Sequence, residues 1–406
     1  MRIMVLNSGS SSIRYQLFDM SGGDVLASGI VEQIGEEGSR LRHRSGKEAS
    51  EIVRAVSAPD HRAGFQQITA VLSESGSLDA AEALFGIGHR VVHGGEVFKE
   101  PTLIDDDVIA AIREQTPLAP LHNPANIIGI EVARAHMPEV PQVAVFDTAF
   151  HQTIPPRAYH YALPFDLHEE HHVRRYGFHG TSHCHVAGRA AEYLERPLAS
   201  LNLITLHLGN GASATAIQAG HSVDTSMGMT PLEGLIMGTR AGDLDPAIPF
   251  FLARATGRPP DRVEALLNTE SGLKGICGVN DMRTIQRRAA EGDERSQLAM
   301  EMYAYRIRKY IGAYSAVLGR VDAIVFTAGI GENSPEIRAS ACQGLSALGI
   351  EIDPARNADA SREVREIQPE GAALKVLVIP TNEELEIAQE TLAAIRTLPR
   401  RQPGRR

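Results

Sequence analysis

Five side chains of this sequence are of types that handle anions or protons, and each sits in a run that would hold it still. In "GHRVVHGG" (88–95), Arg90 lies in a β-branched run that reads as a buried strand, where an unpaired guanidinium is costly, so it needs an anionic partner. "VAVFDTAFH" (143–151) ends a strand at Asp147, a frequent place for a catalytic carboxylate in α/β proteins. "PLAPLHNP" (117–124) is too rich in Pro for a helix and puts His122 on a rigid loop. "RRYGFHGTSH" (174–183) sets His179 beside Gly177 and Gly180, and "LIMGTRAGDLDP" (235–246) presents Arg240 on a Gly-flanked loop. Each alone has an ordinary explanation, since His and Arg often cap helices or cover surface. Together, two Arg, one Asp and several His on Gly- and Pro-held loops of an acidic chain are hard to dismiss as scaffold.

The elements that must position them alternate between strand and helix. "IMVL" runs into "NSGSSS" and out through "IRYQLFD", where Ile13, Tyr15 and Leu17 alternate with Arg14, Gln16 and Phe18 as a half-buried strand requires. About two hundred residues later "LITLHL" runs into "GNGAS" and out through "ATAIQAG", the same strand, small-residue turn and strand. A third apolar run, "AIVFTAGIGENSP", ends in another Gly turn, followed by helical spacing in "EIRASACQGLSALGI" with Pro335 near its start. Two hairpins of one design, one in each half, imply a duplicated domain. A lone Gly-rich turn is ordinary hairpin chemistry. Its backbone N–H groups can nevertheless converge on an anion. Neither the P-loop nor the dinucleotide-binding fingerprint is present, so a phosphate site here is of another type.

Length and composition set the frame. A chain of 406 residues is long for one core, so two domains are expected, and 43% hydrophobic with 22% charged residues is globular. A formal charge of -10 argues against nucleic-acid or membrane-surface binding. "IMVL" is too short for a signal-peptide core and no run reaches a membrane span, which points to the cytoplasm. Cys184, Cys277 and Cys342 are widely spaced without a Cys-x-x-Cys pair, as reduced buried thiols are.

The strings "NSGSSSIRYQLFD", "GHRVVHGG", "PLHNPANIIGI", "VFDTAFHQTIP", "YGFHGTSH", "HLGNGASATAI", "DTSMGMTPLEGLIMGTRAGDLDPAI", "FTAGIGENSPEIR" and "PTNEELEIAQE" resemble, in order, those of the acetate kinase family, across residues 3 to about 390. The resemblance implies an α/β fold of the duplicated ribonuclease-H-like type shared with actin, Hsp70 and sugar kinases, with two domains and a central cleft. The expected division is 1–150 plus 385–406 for the N-terminal, substrate-side lobe, and 151–384 for the nucleotide lobe. Implied too are reversible phosphoryl transfer from ATP to acetate, giving ADP and acetyl phosphate, Mg²⁺ with Mn²⁺ as a substitute, and a homodimer.

Carried over by position, the resemblance gives Asn7 and Glu383 to the metal, and Arg90, Asp147, His179 and Arg240 to catalysis. Arg90 and Arg240 would bind the carboxylate and the transferring phosphoryl group, and His179 would donate to an equatorial phosphoryl oxygen. Asp147 would position a metal-bound water or an Arg, because acetate has no proton to lose at neutral pH. The acyl pocket would be Val92, Leu121, His122, Phe178 and Pro231. Propionate kinases tend to carry a smaller residue at the position of Val92, so Val leans to acetate, with propionate or another short-chain acid as the alternative. The nucleotide would meet Ser10, Ser12 and Arg14, then His207, Leu208, Gly209, Asn210 and Gly211. Asp281, Met282 and Arg283, and Gly329, Ile330, Gly331, Glu332 and Asn333, would complete its site. Arg14 replaces the Lys of many relatives, a forked cation for a point charge.

Other stretches read as scaffold. "DLHEEHHVRR" (166–175) reads as a solvated loop, and "HCH" (183–185) on a helix points its side chains in different directions. "RSQLAMEMYAYRIRKYIGAYSAVLG", from 295, reads as a core or subunit-interface helix, and "RTLPRRQPGRR" as a frayed end. The competing class is an ATP-driven switch like actin or Hsp70, which would have no use for an acyl pocket.

Overall fold

A computed structural model of the chain describes residues 1–46, 50–78, 84–120 and 122–397. It divides into two compact units, Met1–Ala149 with Asn382–Arg406, and Phe150–Thr381. The first holds β1 (Arg2–Ser8), β2 (Ser12–Asp19), β3 (Asp24–Glu32), β4 (Arg40–Ser45), β5 (Ser50–Ala55), β6 (Gly86–Val91), β7 (Thr102–Leu103) and β8 (Gln142–Phe146). They form one sheet in the order β5-β4-β3-β2-β1-β6-β8-β7. β1 to β5 pair antiparallel in succession, whereas β1, β6 and β8 are parallel. β1 is buried without a break from Ile3 to Leu6, as a central strand covered on both faces must be.

One face of this sheet packs against the helices His61–Glu74 and Asn123–His136, where Met4, Leu6, Ile13, Tyr15 and Leu17 meet Phe65, Ile68, Leu72 and Ala133. On the other, the helix Glu383–Arg396 lays Ile387, Ala388, Leu392 and Ile395 on Ile3, Val5, Phe18, Val143 and Val145. That helix explains the one break in the expected alternation of β2. Phe18 is fully buried on the face where polar residues were expected, because the returning chain covers it. Gly88 makes room for it: a Cβ there would collide with Thr391 and Ile387.

The second unit holds β9 (Asn202–Leu208), β10 (Ala212–Gln218), β11 (His221–Thr225), β12 (Ala323–Thr327), β13 (Arg365–Glu366) and β14 (Lys375–Val378), in the order β11-β10-β9-β12-β14-β13. β9, β10 and β11 pair antiparallel, and β12 and β14 continue parallel to β9. The run β3-β2-β1-β6-β8 is therefore repeated as β11-β10-β9-β12-β14, the duplicated ribonuclease-H-like topology. Both matching hairpins close at their turns, Gly9 N donating to Ser12 O at 2.8 Å and Gly209 N to Gly211 O at 3.0 Å. The 25-residue helix Glu294–Leu318 buries Tyr303, Ile307, Ile311 and Tyr314 and exposes Leu298, Met302 and Tyr305.

Several local expectations are corrected. "GIGEN" is no loop: Ala328–Asn333 is a short helix that leaves β12 directly, with Ala328 in the left-handed region (φ 62°) making the turn. The helix after Pro335 stops at Cys342, because left-handed Gly344 follows two residues on. "DLHEEHHVRR" contains a helix, Asp166–His171, and its Arg174 is buried, the guanidinium stacked 3.7 Å over the Tyr159 ring. Cys277 and Cys342 are buried free thiols, but Cys184 is only half-buried. Residues 398–406, most of the expected frayed end, lie outside the described residues. Among the described residues no helix is long and apolar enough to cross a membrane.

Burial also fixes an acid limit. His89 on β6 is buried against Gln142 Oε1 at 2.8 Å, and burial pushes its imidazole down to about 4. Below about pH 6.5 the unfolded chain takes up a proton that folded His89 refuses. Its contribution to stability is thus complete above that pH and is lost as the pH falls towards 4. His89→Leu should flatten the fall of melting temperature between pH 6.5 and 4, read by thermal melts across that range.

Candidate active site

In the first unit, three parallel strands deliver polar side chains to one end of the sheet. Leu6 pairs with His89 and Val91 with Phe146, so Asn7, Arg90 and Asp147 emerge together where β1, β6 and β8 end. Arg90 finds the anionic partner that its strand demands: Nε donates to Asp147 Oδ1 at 3.0 Å and Nη2 to Oδ2 at 2.5 Å. Burial raises the Asp147 carboxyl above its ordinary value, against the pull of Arg90. Burial works equally against the Arg90 charge, but the Asp147 and Glu383 carboxylates outweigh it and hold the guanidinium firmly protonated.

Glu383 begins the helix Glu383–Arg396, just after the N-cap Asn382, whose side chain accepts from Leu385 N at 3.0 Å. Glu384 and Glu386 share this first turn, where a helix favours negative charge. Among the described residues, the Asn7 and Glu383 side chains carry no hydrogen bond to protein. Two uncommitted hard oxygen donors suit a small divalent cation that keeps much of its water. His122 is not on a loop but at the N-cap of the helix Asn123–His136, which Pro124 can enter because its first turn needs no N–H. It is close enough to Asp147 for its charge to be felt. Val92 is half-buried, its N–H donating to Asn126 Oδ1 at 3.1 Å. Leu121 lies outside the described residues. Ser10 and Ser12 belong to the first hairpin turn and its exit, and Arg14 is an exposed β2 residue paired across the ladder with Asn7.

In the second unit polar side chains gather around the turn between β9 and β10. His179 sits at the N-cap of the helix Gly180–Tyr193 in a left-handed conformation (φ 58°), one that residues with a Cβ seldom adopt. Its ring stacks on that of His207 with centroids 4.2 Å apart, and its Nδ1 is 2.9 Å from Ser213 Oγ. Across the second hairpin turn, a Cβ added to Gly211 would lie 3.3 Å from His179 Nε2 and 3.7 Å from Arg240 Nη1, so imidazole and guanidinium flank one glycine. Arg240 Nη1 donates to Pro231 O at 3.3 Å, and burial lowers the guanidinium from its ordinary value. Phe178 is buried, its carbonyl 3.0 Å from His151 Nε2.

Next to the same turn lies a cavity of about 680 Å³. Gly209 and Asn210, then Asp281, Met282 and Arg283, then Gly329, Ile330 and Asn333 line it, three stretches far apart in sequence. His207, Leu208, Gly211, Gly331 and Glu332 do not line it. Leu208 and Gly331 are buried in the packing beneath, and Glu332 Oε1 accepts from Thr381 N at 3.1 Å. Sequence reasoning missed Asn280, Gln286 and Ser334 in the lining. Asn280 Nδ2 donates to Asn210 Oδ1 at 3.1 Å, and its place just before "DMR" was the available signal. His183, read in the sequence only as part of "HCH", also reaches this site: its Nε2 and the His179 Nδ1 both meet Ser213 Oγ.

Duplicated ribonuclease-H-like units, one with a cavity beside the turn that follows its first strand, define a class of α/β nucleotide-using proteins. Within it the chain belongs to the acetokinase family, whose model matches residues 2–389. It is 58% identical over 402 residues to an acetate kinase of Syntrophobacter fumaroxidans, covering 98% of this chain and 97% of that relative. The crystal structure of Porphyromonas gingivalis acetate kinase matches with a TM-score of 0.94 at 44% identity, over 97% of this chain and 99% of that one. A propionate kinase from Francisella tularensis matches with a TM-score of 0.90 at 42% identity, with the same coverage.

Proposed function

We propose that this protein transfers a phosphoryl group reversibly between ATP and acetate, giving ADP and acetyl phosphate by direct in-line displacement. The observation that carries the reading is the meeting of Gly209–Asn210, Asp281–Arg283 and Gly329–Asn333 around one cavity, beside a glycine turn flanked by His179 and Arg240. The nucleotide occupies that cavity, with its phosphates towards the turn. Arg240 and the His179 imidazole then meet the equatorial oxygens, where charge stabilisation is most of what phosphoryl transfer requires. Arg90 binds the acetate carboxylate, and Asp147 holds its fork in place. The family resemblance assigns Val92, Leu121, His122, Phe178 and Pro231 to the acid.

Asn7 and Glu383 would hold Mg²⁺, which neutralises phosphate charge when bound; Mn²⁺ would serve in its place. Ser10, Ser12 and Arg14 contribute to the phosphates. On the family resemblance we take the enzyme to be cytoplasmic and homodimeric. An apolar acyl site distinguishes one methylene by about 1–3 kcal/mol, so propionate should be the weaker substrate. Trapping acyl phosphate with hydroxylamine from ATP, Mg²⁺ and acetate, beside propionate and butyrate, tests the reading. Hydroxamate with acetate in excess supports it. No hydroxamate from any acid while ATP still binds would leave an ATP-driven switch.

Gly238 gives a test of the cavity alone. Its N–H donates to Asn210 O at 2.9 Å, and a Cβ there would collide with Asn210 Oδ1. Gly238→Ala should push Asn210 out of the lining and raise KM for ATP on the order of tenfold, the equivalent of one hydrogen bond. The KM for acetate should stay put in the same assays.

A further inference from the structure

The second unit carries a line of buried hydroxyl and imidazole groups that the mechanism above does not use. Thr205 on β9, His183 on the helix Gly180–Tyr193 and Ser213 on β10 are each fully buried. Thr205 Oγ1 is 2.7 Å from His183 Nδ1, His183 Nε2 is 2.7 Å from Ser213 Oγ, and Ser213 Oγ is 2.9 Å from His179 Nδ1. Such a chain can run in either direction, and Thr205 decides which. Among the described residues the only hydrogen-bond partner of its hydroxyl is His183 Nδ1. If His183 carried its proton on Nδ1, the Thr205 proton would be buried without an acceptor, which folded proteins avoid.

Thr205 therefore donates to His183 Nδ1, leaving the His183 proton on Nε2. Burial, with His151 and His207 adding to it, holds His183 well below its ordinary value, so it has one proton to place. That proton goes to Ser213 Oγ, and the Ser213 hydroxyl then has His179 Nδ1 as its acceptor. A His179 ring that accepts at Nδ1 keeps its own proton on Nε2, the atom beside Gly211 and Arg240.

We propose that Thr205, His183 and Ser213 form a one-way hydrogen-bond chain that fixes His179 as the neutral Nε2–H tautomer. The three are positioning residues, and the Nε2–H they fix is the one that would donate a hydrogen bond to a phosphoryl oxygen. The catalytic consequence rests on the phosphoryl-transfer reading; the tautomer itself does not.

Long-range ¹H–¹⁵N correlation spectra of the whole protein labelled with ¹⁵N-histidine test it, His179→Gln and His183→Gln supplying the assignments. Wild-type His179 and His183 should both show the Nε2–H pattern. Ser213→Ala, which removes the hydroxyl donated to His179 Nδ1, should let Nδ1–H appear in the half-buried His179 ring. It should also lower kcat by about 10²-fold, with KM for ATP unchanged. Ser213→Thr, which keeps a hydroxyl at that position, should restore the spectrum and the rate together. An Nδ1–H His179 in the wild type, or a pure Nε2–H His179 in folded Ser213→Ala, would overturn the proposal. An Nε2–H His179 in a protein that makes no acyl phosphate would uphold the chain and remove the phosphoryl-transfer reading instead.

Discussion

Arg240→Ala should lower kcat by about 10³-fold or more, equivalent to about 4 kcal/mol of transition-state stabilisation, while the melting temperature stays level or rises. The two halves of that expectation come from one observation. Arg90 is matched by a carboxylate, but among the described residues no carboxylate pairs with Arg240, which has only the Pro231 carbonyl at 3.3 Å and the Met237 sulfur at 3.7 Å. Burial alone lowers its pKa, and a guanidinium stays charged regardless. A half-buried cation without a counter-ion is a cost to the fold. Its removal should not weaken the protein, and its retention makes sense where a ligand brings the negative charge. Arg240→Lys should recover only part of the rate, since a point charge cannot match two oxygens at once. Steady-state rates with saturating ATP and acetate, set beside thermal melts, check both halves. Near-full turnover in well-folded Arg240→Ala would take this residue out of the mechanism.

How much of this was legible in the sequence depends on the range of the forces involved. The two hairpins were, because small residues between apolar runs specify a turn locally, and their repetition disclosed the duplication that the strand orders bear out. Arg90 announced that it needed an anion because a strand buries it, although nothing local said which. Asp147 answers from 57 residues away, by a register between β6 and β8 that only folding sets. "GIGEN" was misread because six residues offer no helical period, and its turn is made by Ala328, a residue type that gives no sign of a left-handed backbone. Phe18 broke the alternation of β2 because a helix from the far end of the chain covers it. The chain from Thr205 to His179 was invisible for the same reason. His183 meets Thr205 and Ser213, 22 and 30 residues on, and no spacing rule joins a helix to the faces of two strands.

Removing Asp147 alone should destabilise the first unit more than removing both Asp147 and Arg90. The carboxylate is almost completely enclosed and the guanidinium about three-quarters so, with side-chain exposures of 2% and 23%, and the two meet through a pair of hydrogen bonds. Breaking such a pair leaves a buried charge uncompensated, at a cost of about 3–5 kcal/mol, whereas replacing both members by apolar residues of similar volume avoids that cost. Asp147→Leu should therefore shift the urea midpoint further down than Asp147→Leu with Arg90→Leu. The same cycle separates two catalytic roles. If Asp147 acts by holding the Arg90 fork, its loss should lower kcat/KM for acetate by about 10²-fold when Arg90 is present, and have little further effect once Arg90 is gone. A general base would behave differently, because its proton transfer does not depend on the neighbour's charge and the two losses would multiply. Acetate arrives as a carboxylate, so there is no proton for such a base to take, and the non-additive result is the one expected.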